Sequence, residues 1–183
     1  MKIFVVLGHQ NPSKESFCHA IAETVRVELE AMGHEVIFHD LYAEGFDPVL
    51  PHEEIPQTAE LPPAVQQQCD EMLASDGYVV IHPNWWAMPP AILKGWLDRV
   101  LRAGKMYKFG PNGVEGLLGG RTAVVLTTSN TPREVELKVF GDPLENLWKT
   151  CVFGFCGIKP EDFERRNFDS VILSSPEERA AWL

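Results

Sequence analysis

The stretch GYVVIHPNWWAMPPAILKGWLDRV, residues 77–100, decides the fold. Its first six residues form an apolar run, which is typical of a β-strand covered on both faces of a parallel sheet. After the loop PNWWAMP, apolar side chains recur at helical spacing over residues 90–101, and Pro90 stands at the helix start, where its missing N–H is harmless. A buried strand, a loop and an amphipathic helix together form the first half of a βαβ unit.

The same alternation continues along the chain. Further strands are predicted at residues 2–7, 35–40, 121–128 and 163–168, and further helices at 17–32, 65–73, 144–151 and after the N-cap Ser175. Because parallel strands need right-handed crossovers, five such strands predict an α/β, flavodoxin-like three-layer sandwich with a parallel sheet in the order 2-1-3-4-5. Residues 41–63 hold five prolines and are predicted to form a long irregular segment.

Composition narrows the class of protein. With 183 residues the chain fits one domain, 1–183, and its net charge of −10 argues against a nucleic-acid partner bound through a basic surface. The four cysteines form no CxxC pair, so we expect buried, reduced thiols without disulfides and no metal site. The apolar run at the N-terminus is too short for a signal peptide or a membrane span, which predicts a cytoplasmic protein without membrane insertion.

In sheets of this kind, ligands bind beyond the carboxyl ends of the strands. The loop at residues 8–18 precedes the first helix, whose free N–H groups and dipole suit an anion, with Ser16 adding a hydroxyl. This loop lacks both GxGxxG and GxxxxGK[ST], which excludes the standard dinucleotide fingerprint and a P-loop NTPase. A well-capped helix with no ligand is the competing interpretation.

Two more loops should meet the first at the same edge. In residues 83–89, Trp85 and Trp86 beside prolines predict a stiff apolar wall for a planar aromatic ligand, with core packing of both tryptophans as the alternative. Residues 127–142 begin Thr-Thr-Ser-Asn, whose hydroxyls and amide could hydrogen-bond the edge of a heterocycle. On its own this third loop is equally compatible with an ordinary polar loop.

The run P-x-x-W-x-x-x-P-A-I-L-K-G-W, from Pro83 to Trp96, closely resembles the NAD(P)H:quinone oxidoreductase (DT-diaphorase) family. That family includes bacterial quinone reductases and ancillary subunits of potassium-efflux systems. The resemblance covers nearly the whole chain. Weaker matches are His9, Ser16 with Phe17, the run Asp40-Leu41-Tyr42, the pair Thr127-Thr128 and FCGI at residues 155–158.

The resemblance implies a flavin-dependent NAD(P)H dehydrogenase that transfers hydride from NAD(P)H through the flavin to quinones or similar acceptors, in ping-pong order. It also implies a homodimer with active sites at the interface. The positions implied to bind the flavin are His9, Ser16, Phe17, Cys18, Pro83, Asn84, Trp85, Trp86, Ala87, Thr127, Thr128, Ser129 and Asn130. Tyr107 and Phe109 match aromatic positions that reach toward the partner subunit's substrate pocket.

Departures from the family pattern are equally informative. Where larger animal enzymes place a Tyr and a His against the flavin, this chain has Glu134 and Phe140, and Cys18 replaces an Asn. A C-terminal extension that helps hold FAD is missing after Leu183, which favours FMN, with FAD as the alternative cofactor.

No residue is assigned a catalytic role from the sequence. His9 and His82 are candidates by location only, and a structural role is the more common one for such histidines. The alternative function is a flavin-bound regulatory subunit docked on a membrane transporter of the potassium-efflux type. An electron-transfer flavodoxin is disfavoured because the tryptophan- and proline-rich wall resembles a substrate pocket.

Overall fold

A computed structural model describes residues 1–11 and 13–183 of the chain. Its central sheet has five parallel strands in the order β2-β1-β3-β6-β7. These strands are β1 (Lys2–Leu7), β2 (Glu35–Asp40), β3 (Gly77–Pro83), β6 (Thr122–Thr128) and β7 (Phe163–Phe168). Since β4 (Tyr107–Gly110) and β5 (Gly113–Gly116) form a separate hairpin, this is the predicted order 2-1-3-4-5, and the flavodoxin-like prediction is confirmed.

Helices cover both faces of the sheet. Helices α1 and α6 pack on one face, while α2, α3 and a π-helix pack on the other over the larger apolar cluster. The bounds are α1 (Phe17–Ala31), α2 (Pro63–Ala74), α3 (Ala91–Val100), α4 (Arg133–Lys138), α5 (Pro143–Asn146), the π-helix (Leu147–Gly154) and α6 (Pro176–Trp182). Short 3-10 turns lie at His52–Glu54, Pro160–Asp162 and Val171–Leu173. Within the described residues, no helix is both long enough and apolar enough to cross a membrane.

The helix predicted at residues 144–151 takes an unexpected form. It begins as α5 and then widens into the π-helix, where the Phe155 N–H donates to the Thr150 carbonyl, five residues back, at 3.1 Å. A Cβ on Gly154 would lie 2.6 Å from the Lys149 carbonyl oxygen, so this wide turn requires glycine there. Apolar spacing of three and four residues does not distinguish the two helix types, which is why the pattern predicted an ordinary helix.

The hairpin of β4 (Tyr107–Gly110) and β5 (Gly113–Gly116) was not predicted. Its strands have only four residues each, too few to show a clear alternation of apolar and polar side chains. The Pro-Asn-Gly run at residues 111–113, where the chain turns from β4 into β5, is a turn signal that could have revealed the hairpin.

The proline-rich segment 41–63 is irregular apart from one 3-10 turn, as predicted, and it is fixed on α3. Glu54 is 3% exposed and accepts two hydrogen bonds from the Arg99 guanidinium, at 3.0 and 2.5 Å. Gly95 lets the segment approach closely, since a Cβ there would lie 2.1 Å from the Pro48 carbonyl oxygen. The segment therefore packs against the helix side of the molecule.

All four cysteines are free, as expected. Cys18, Cys69 and Cys156 are buried. The expectation is wrong for Cys151, which is exposed because it lies on the outer side of the π-helix.

Candidate flavin site

A cavity of about 600 Å³ opens at the carboxyl edge of β1, β3 and β6, the edge predicted to bind a ligand. Its volume lies in the usual range for small-molecule sites. The three predicted loops all contribute to it. The lining residues are His9, Gln10, Phe17, Cys18, Pro83, Asn84, Trp85, Trp86, Ala87, Thr128, Ser129, Asn130, Thr131, Glu136, Phe140 and Val171.

Every predicted flavin position lines this cavity except Ser16 and Thr127. Ser16 instead caps helix α1, where its Oγ accepts the His19 N–H at 3.3 Å. Thr127 is completely buried and donates to Asn167 Oδ1 at 2.7 Å. Neighbouring residues of a strand point to opposite faces, so Thr128 can face the cavity only if Thr127 faces away from it.

The aromatic wall is a strained turn, and core packing of its tryptophans is excluded. Trp85 is 48% and Trp86 94% exposed in the single chain. Paired hydrogen bonds of 3.0 Å between the backbones of Trp85 and Met88 close the turn. Trp86 and Ala87 both adopt left-handed backbone angles, with φ of 54° and 61°, which costs about 1–3 kcal/mol for each such residue. Strain of this kind persists only where the surroundings hold it in place.

Asn84 fixes this turn through both ends of its side-chain amide. Its Oδ1 accepts the Ala87 N–H at 2.8 Å, and its Nδ2 donates to Glu136 Oε1 at 3.0 Å. Glu136 is 1% exposed, and its other oxygen accepts from Asn167 at 2.9 Å and from Arg133 at 3.2 Å. The turn is thus tied to a buried carboxylate at the cavity wall.

A wider polar network reaches Glu136 through Asn167 and Arg133. Arg165 is almost fully buried, donates to Thr127 Oγ1 at 2.9 Å and forms an ion pair with Asp142. Asp142 also pairs with Arg133 at 2.6 Å. Burial alone would raise the pKa of the Asp142 carboxyl, but Arg133 and Arg165 hold it below its ordinary value. Asp142 is therefore a carboxylate that fixes both guanidinium groups beneath the cavity.

The end of the cavity at α1 suits an anion. The first turn of α1 carries free N–H groups and no acidic residue. His9 Nδ1 accepts the Asn11 N–H at 3.1 Å, which places the hydrogen of a neutral ring on Nε2. Burial, and to a smaller extent His19, lowers the pKa of His9, so the neutral form is favoured near pH 7.

Cys18 lines the same end without being reactive. Its Sγ lies 3.3 Å from Thr128 Oγ1, and burial raises the pKa of the thiol to about 12. Nucleophilic cysteines need a lowered pKa, so Cys18 contributes a small neutral surface to the cavity.

His82, one of the two candidate histidines, is structural. It is fully buried, its Nδ1 donates to the Pro83 carbonyl at 2.8 Å, and its Nε2 accepts from Trp148 Nε1 at 3.0 Å. Burial lowers the pKa of His82 to about 4, so the ring is neutral at physiological pH. With both ring nitrogens in use, His82 supports strand β3 rather than the cavity.

The acidic residue at the cavity is not the one predicted. Glu134 is exposed, pairs with Lys138 at 2.6 Å and lies outside the lining. Glu136 lines the cavity instead because helix α4 turns positions 134 and 136 to different sides. Phe140 lies in the lining at its predicted place.

Tyr107 and Phe109 lie away from this cavity, on strand β4. They line a second depression of about 340 Å³ together with Leu50 and Ile55. Phe109 is 71% exposed. Within one chain they do not meet the flavin positions.

Comparison with known proteins agrees with this architecture. The flavodoxin-like fold family matches residues 1–179. An uncharacterized NAD(P)H oxidoreductase of Haemophilus influenzae is 35% identical over 168 residues, covering 90% of this chain and 82% of that protein. The crystal structure of Smu.1420 from Streptococcus mutans is 34% identical, with a TM-score of 0.85 over 100% of this chain and 94% of that one.

Two further relatives add to the comparison. The FMN-dependent NADH:quinone oxidoreductase 2 of Pseudomonas putida is 50% identical over 58 residues, which are 32% of this chain and 29% of that protein. Mammalian relatives are longer, and the chain spans 65% of the rat NAD(P)H dehydrogenase [quinone] 1, at 29% identity over 86% of this chain. Taken with the sheet order and the position of the cavity, these matches show that the chain belongs to the flavodoxin-like family of NAD(P)H oxidoreductases that includes the quinone reductases.

Proposed function

We propose that the protein is a flavin-dependent NAD(P)H oxidoreductase that reduces quinones or similar acceptors in ping-pong order. The observation that carries this proposal is the cavity of about 600 Å³, with an exposed tryptophan wall at one side and the start of helix α1 at the other. A flavin nucleotide has two matching parts. Its flat ring system suits the tryptophan wall, and the phosphate on its side chain suits the start of α1. In the net reaction NAD(P)H gives up a hydride, and the quinone takes up two electrons and two protons, one of them from solvent.

The lining residues fit FMN by their chemistry. The free N–H groups at the start of α1 and the Nε2–H of His9 would hold the phosphate. Trp85, Trp86 and Ala87 would face the ring system, and Thr128, Ser129 and Asn130 would hydrogen-bond its polar edge. The relative named as FMN-dependent supports FMN over FAD.

When bound, the flavin supplies the two-electron chemistry, so the protein needs no nucleophile of its own. The residues of the chain bind and orient. The 84–88 turn presents a rigid apolar surface, and the hydroxyls at the end of β6 fix the orientation of the ring edge. The thiol of Cys18, whose pKa burial raises to about 12, stays neutral and adds no reactive group to the cavity.

The substrate pocket is proposed to be completed by a second copy of the chain. Phe109 projects from the β4–β5 hairpin and is 71% exposed, with Tyr107 packed edge-on against it at 5.7 Å between ring centroids. The resemblance to dimeric quinone reductases suggests that this hairpin reaches the partner's cavity. In a homodimer, Phe109→Ala should raise KM for the acceptor and leave the affinity for FMN unchanged.

The names of the relatives support the enzyme over the transporter subunit. A single flavin-binding domain over 1–183 and a cytoplasmic location, where NAD(P)H is available, complete the proposal. The test is stopped-flow reduction of the FMN-loaded protein by NADH and by NADPH, followed by mixing with a panel of quinone, azo and nitro acceptors. Rapid bleaching and reoxidation support the enzyme; bound FMN that neither nucleotide reduces would overturn it.

A further inference from the structure

Glu136 is a buried carboxylate that the proposed reaction does not use. It lies 52 residues along the chain from Asn84, which donates to it at 3.0 Å. All its hydrogen-bond partners donate to it: Asn84 and Asn167 through their amide nitrogens and Arg133 through its guanidinium. An ionised carboxylate has only acceptor capacity, so this donor-only environment suits the charged form.

The polarity of Glu136 determines how the Asn84 amide is oriented. A side-chain amide has a donor end and an acceptor end, and rotating it by half a turn exchanges them. Rotation here would place Asn84 Oδ1 against the Glu136 carboxylate and Nδ2 against the Ala87 N–H. Both contacts would be repulsive, so the carboxylate locks Oδ1 onto Ala87.

That locked contact lies on the strained part of the cavity wall. Ala87 and Trp86 are the two residues with left-handed backbone angles, and the Ala87 N–H is held by Asn84 Oδ1 at 2.8 Å. Trp86 is 94% exposed, so its own side chain contributes little packing to fix the turn. The Trp85–Met88 backbone hydrogen bonds close the turn, and the tie from Glu136 through Asn84 adds the side-chain contact that holds Ala87 in its left-handed conformation.

We propose that Glu136 is a positioning residue of the flavin site, holding the Trp86–Ala87 turn against the bound ring through the orientation of Asn84. This inference rests on the proposed function for its ligand, but its structural half concerns the turn alone. It predicts that FMN affinity depends on which of positions 84 and 136 carries the donor amide and which carries the carboxylate. A general requirement for a stable fold would not show this dependence.

Exchanging that polarity is the test. Asn84→Asp sets two carboxylates against each other and should weaken FMN binding by at least about tenfold, the worth of one hydrogen bond to a charged group. The single amide oxygen in Glu136→Gln can accept either from Asn84 or from Asn167 and Arg133, but not from both sides. This variant should therefore show an intermediate loss of FMN affinity. In the double variant, the new amide at position 136 donates to the new carboxylate at position 84, and the amide oxygen still accepts from Asn167. FMN affinity should then return to within about threefold of wild type.

Asn130 provides the matched control for charge. It lines the same cavity, and its Oδ1 accepts the Ile172 N–H at 3.1 Å, a bond that aspartate can keep. Asn130→Asp adds the same negative charge, and combining it with Glu136→Gln restores the same net charge. If Glu136→Gln raises the FMN affinity of Asn130→Asp by the same factor as it raises that of Asn84→Asp, the rescue is electrostatic and the proposal is wrong.

Hydrogen exchange of the flavin-free protein provides the second readout. The Ala87 amide should exchange slowly in wild type, faster in Asn84→Asp and slowly again in the double variant. If wild type takes up no FMN while this pattern holds, the proposed function fails and the role of Glu136 in the turn stands. If Asn84→Asp fails to fold, the double variant decides: a folded double variant that binds FMN less than about a tenth as tightly as wild type overturns the proposal.

Discussion

Two buried glutamates each hold one irregular segment of this chain, and their hydrogen-bonding partners differ. Glu54 fixes segment 41–63 and faces Arg99, a buried opposite charge that binds it through two hydrogen bonds. Glu136 fixes the 84–88 turn and faces two side-chain amides, with the partly exposed Arg133 at 3.2 Å. A paired charge secures packing, whereas a carboxylate partnered by amides dictates the orientation of a neighbouring group. The first arrangement therefore serves stability and the second serves the shape of a site.

The largest expected effect comes from breaking the Glu54 pair. Glu54→Ala leaves the buried Arg99 guanidinium with Asp47, at 3.8 Å, as its remaining charged partner, which should lower the free energy of unfolding by about 3 kcal/mol. Urea denaturation measures this change. Asp98→Ala, which breaks an exposed pair with Lys94 on the same helix, should cost about 1 kcal/mol or less.

The contrast between the two glutamates extends to binding. Folded Glu54→Ala protein should bind FMN about as tightly as wild type, within roughly twofold, because segment 41–63 lies outside the cavity lining. A variant that kept its stability but lost FMN would assign Glu54 to the site and remove the difference between the two glutamates.

Gly95 tests the same segment by its packing. Gly95→Ala forces a methyl group toward the Pro48 backbone and should destabilise the fold by about 1–3 kcal/mol, measured by thermal unfolding. Gly110→Ala is the control, because its Cβ would meet only the Gly113 carbonyl oxygen at an ordinary 3.7 Å. Equal losses in both variants would mean that close approach at Gly95 is unimportant.

Trp86 tests the other segment. Trp86→Ala should raise the Kd for FMN about tenfold, the worth of one stacked aromatic contact. The free energy of unfolding should change by no more than about 0.5 kcal/mol, because the side chain is 94% exposed. Tyr42→Ala, which removes a partly exposed aromatic outside the cavity lining, should leave FMN affinity unchanged. A large stability loss in Trp86→Ala would return this residue to the packing interpretation.

The smallest expected effect concerns His39, a buried histidine that hydrogen-bonds to two glutamates. Burial alone would lower the pKa of this imidazole, but Glu44 at 2.9 Å and Glu71 at 2.7 Å hold it above the ordinary value. Since the folded-state pKa is raised, the stabilisation is fully present below about pH 6.5 and is lost as the pH rises through the folded-state pKa.

Thermal unfolding at a series of pH values above 6 checks this sign. Wild type should lose more stability with rising pH than His39→Gln, and the difference between the two curves should become constant at high pH. His82, whose pKa is lowered to about 4, acts with the opposite sign and at lower pH, where its stabilisation is lost as the pH falls from about 6.5 toward 4. Parallel curves for wild type and His39→Gln would show that the two glutamates do not stabilise a charged ring.

The fold was predictable because its signal is local. The apolar runs of β1 and β3 and the helical spacing of α1 and α3 fix element types, and the crossover rule then fixes the sheet order. Short or irregular elements were missed where the signal is weak, as in the four-residue strands of the β4–β5 hairpin and the widened turns of the π-helix.

The loops that line the cavity could be predicted from the sequence, but the buried hydrogen bonds that hold those loops could not. Alternation along β6 decides between Thr127 and Thr128, and it could have been applied from the sequence. The contacts of Glu136 with Asn84 and Asn167 join residues 52 and 31 positions apart, and no spacing rule connects them. The exposure of Trp86 was likewise undecidable, because a tryptophan after a buried strand is equally compatible with a core position.

The central claim is that the cavity beside the 84–88 turn binds FMN. Quenching of flavin fluorescence on titration with purified protein tests it most directly, with Trp86→Ala measured alongside. We predict saturable binding of one FMN per chain with a Kd in the micromolar range or below, corresponding to about 8 kcal/mol or more, and weaker binding by the variant. Absence of saturable binding at about 1 mM protein would contradict it.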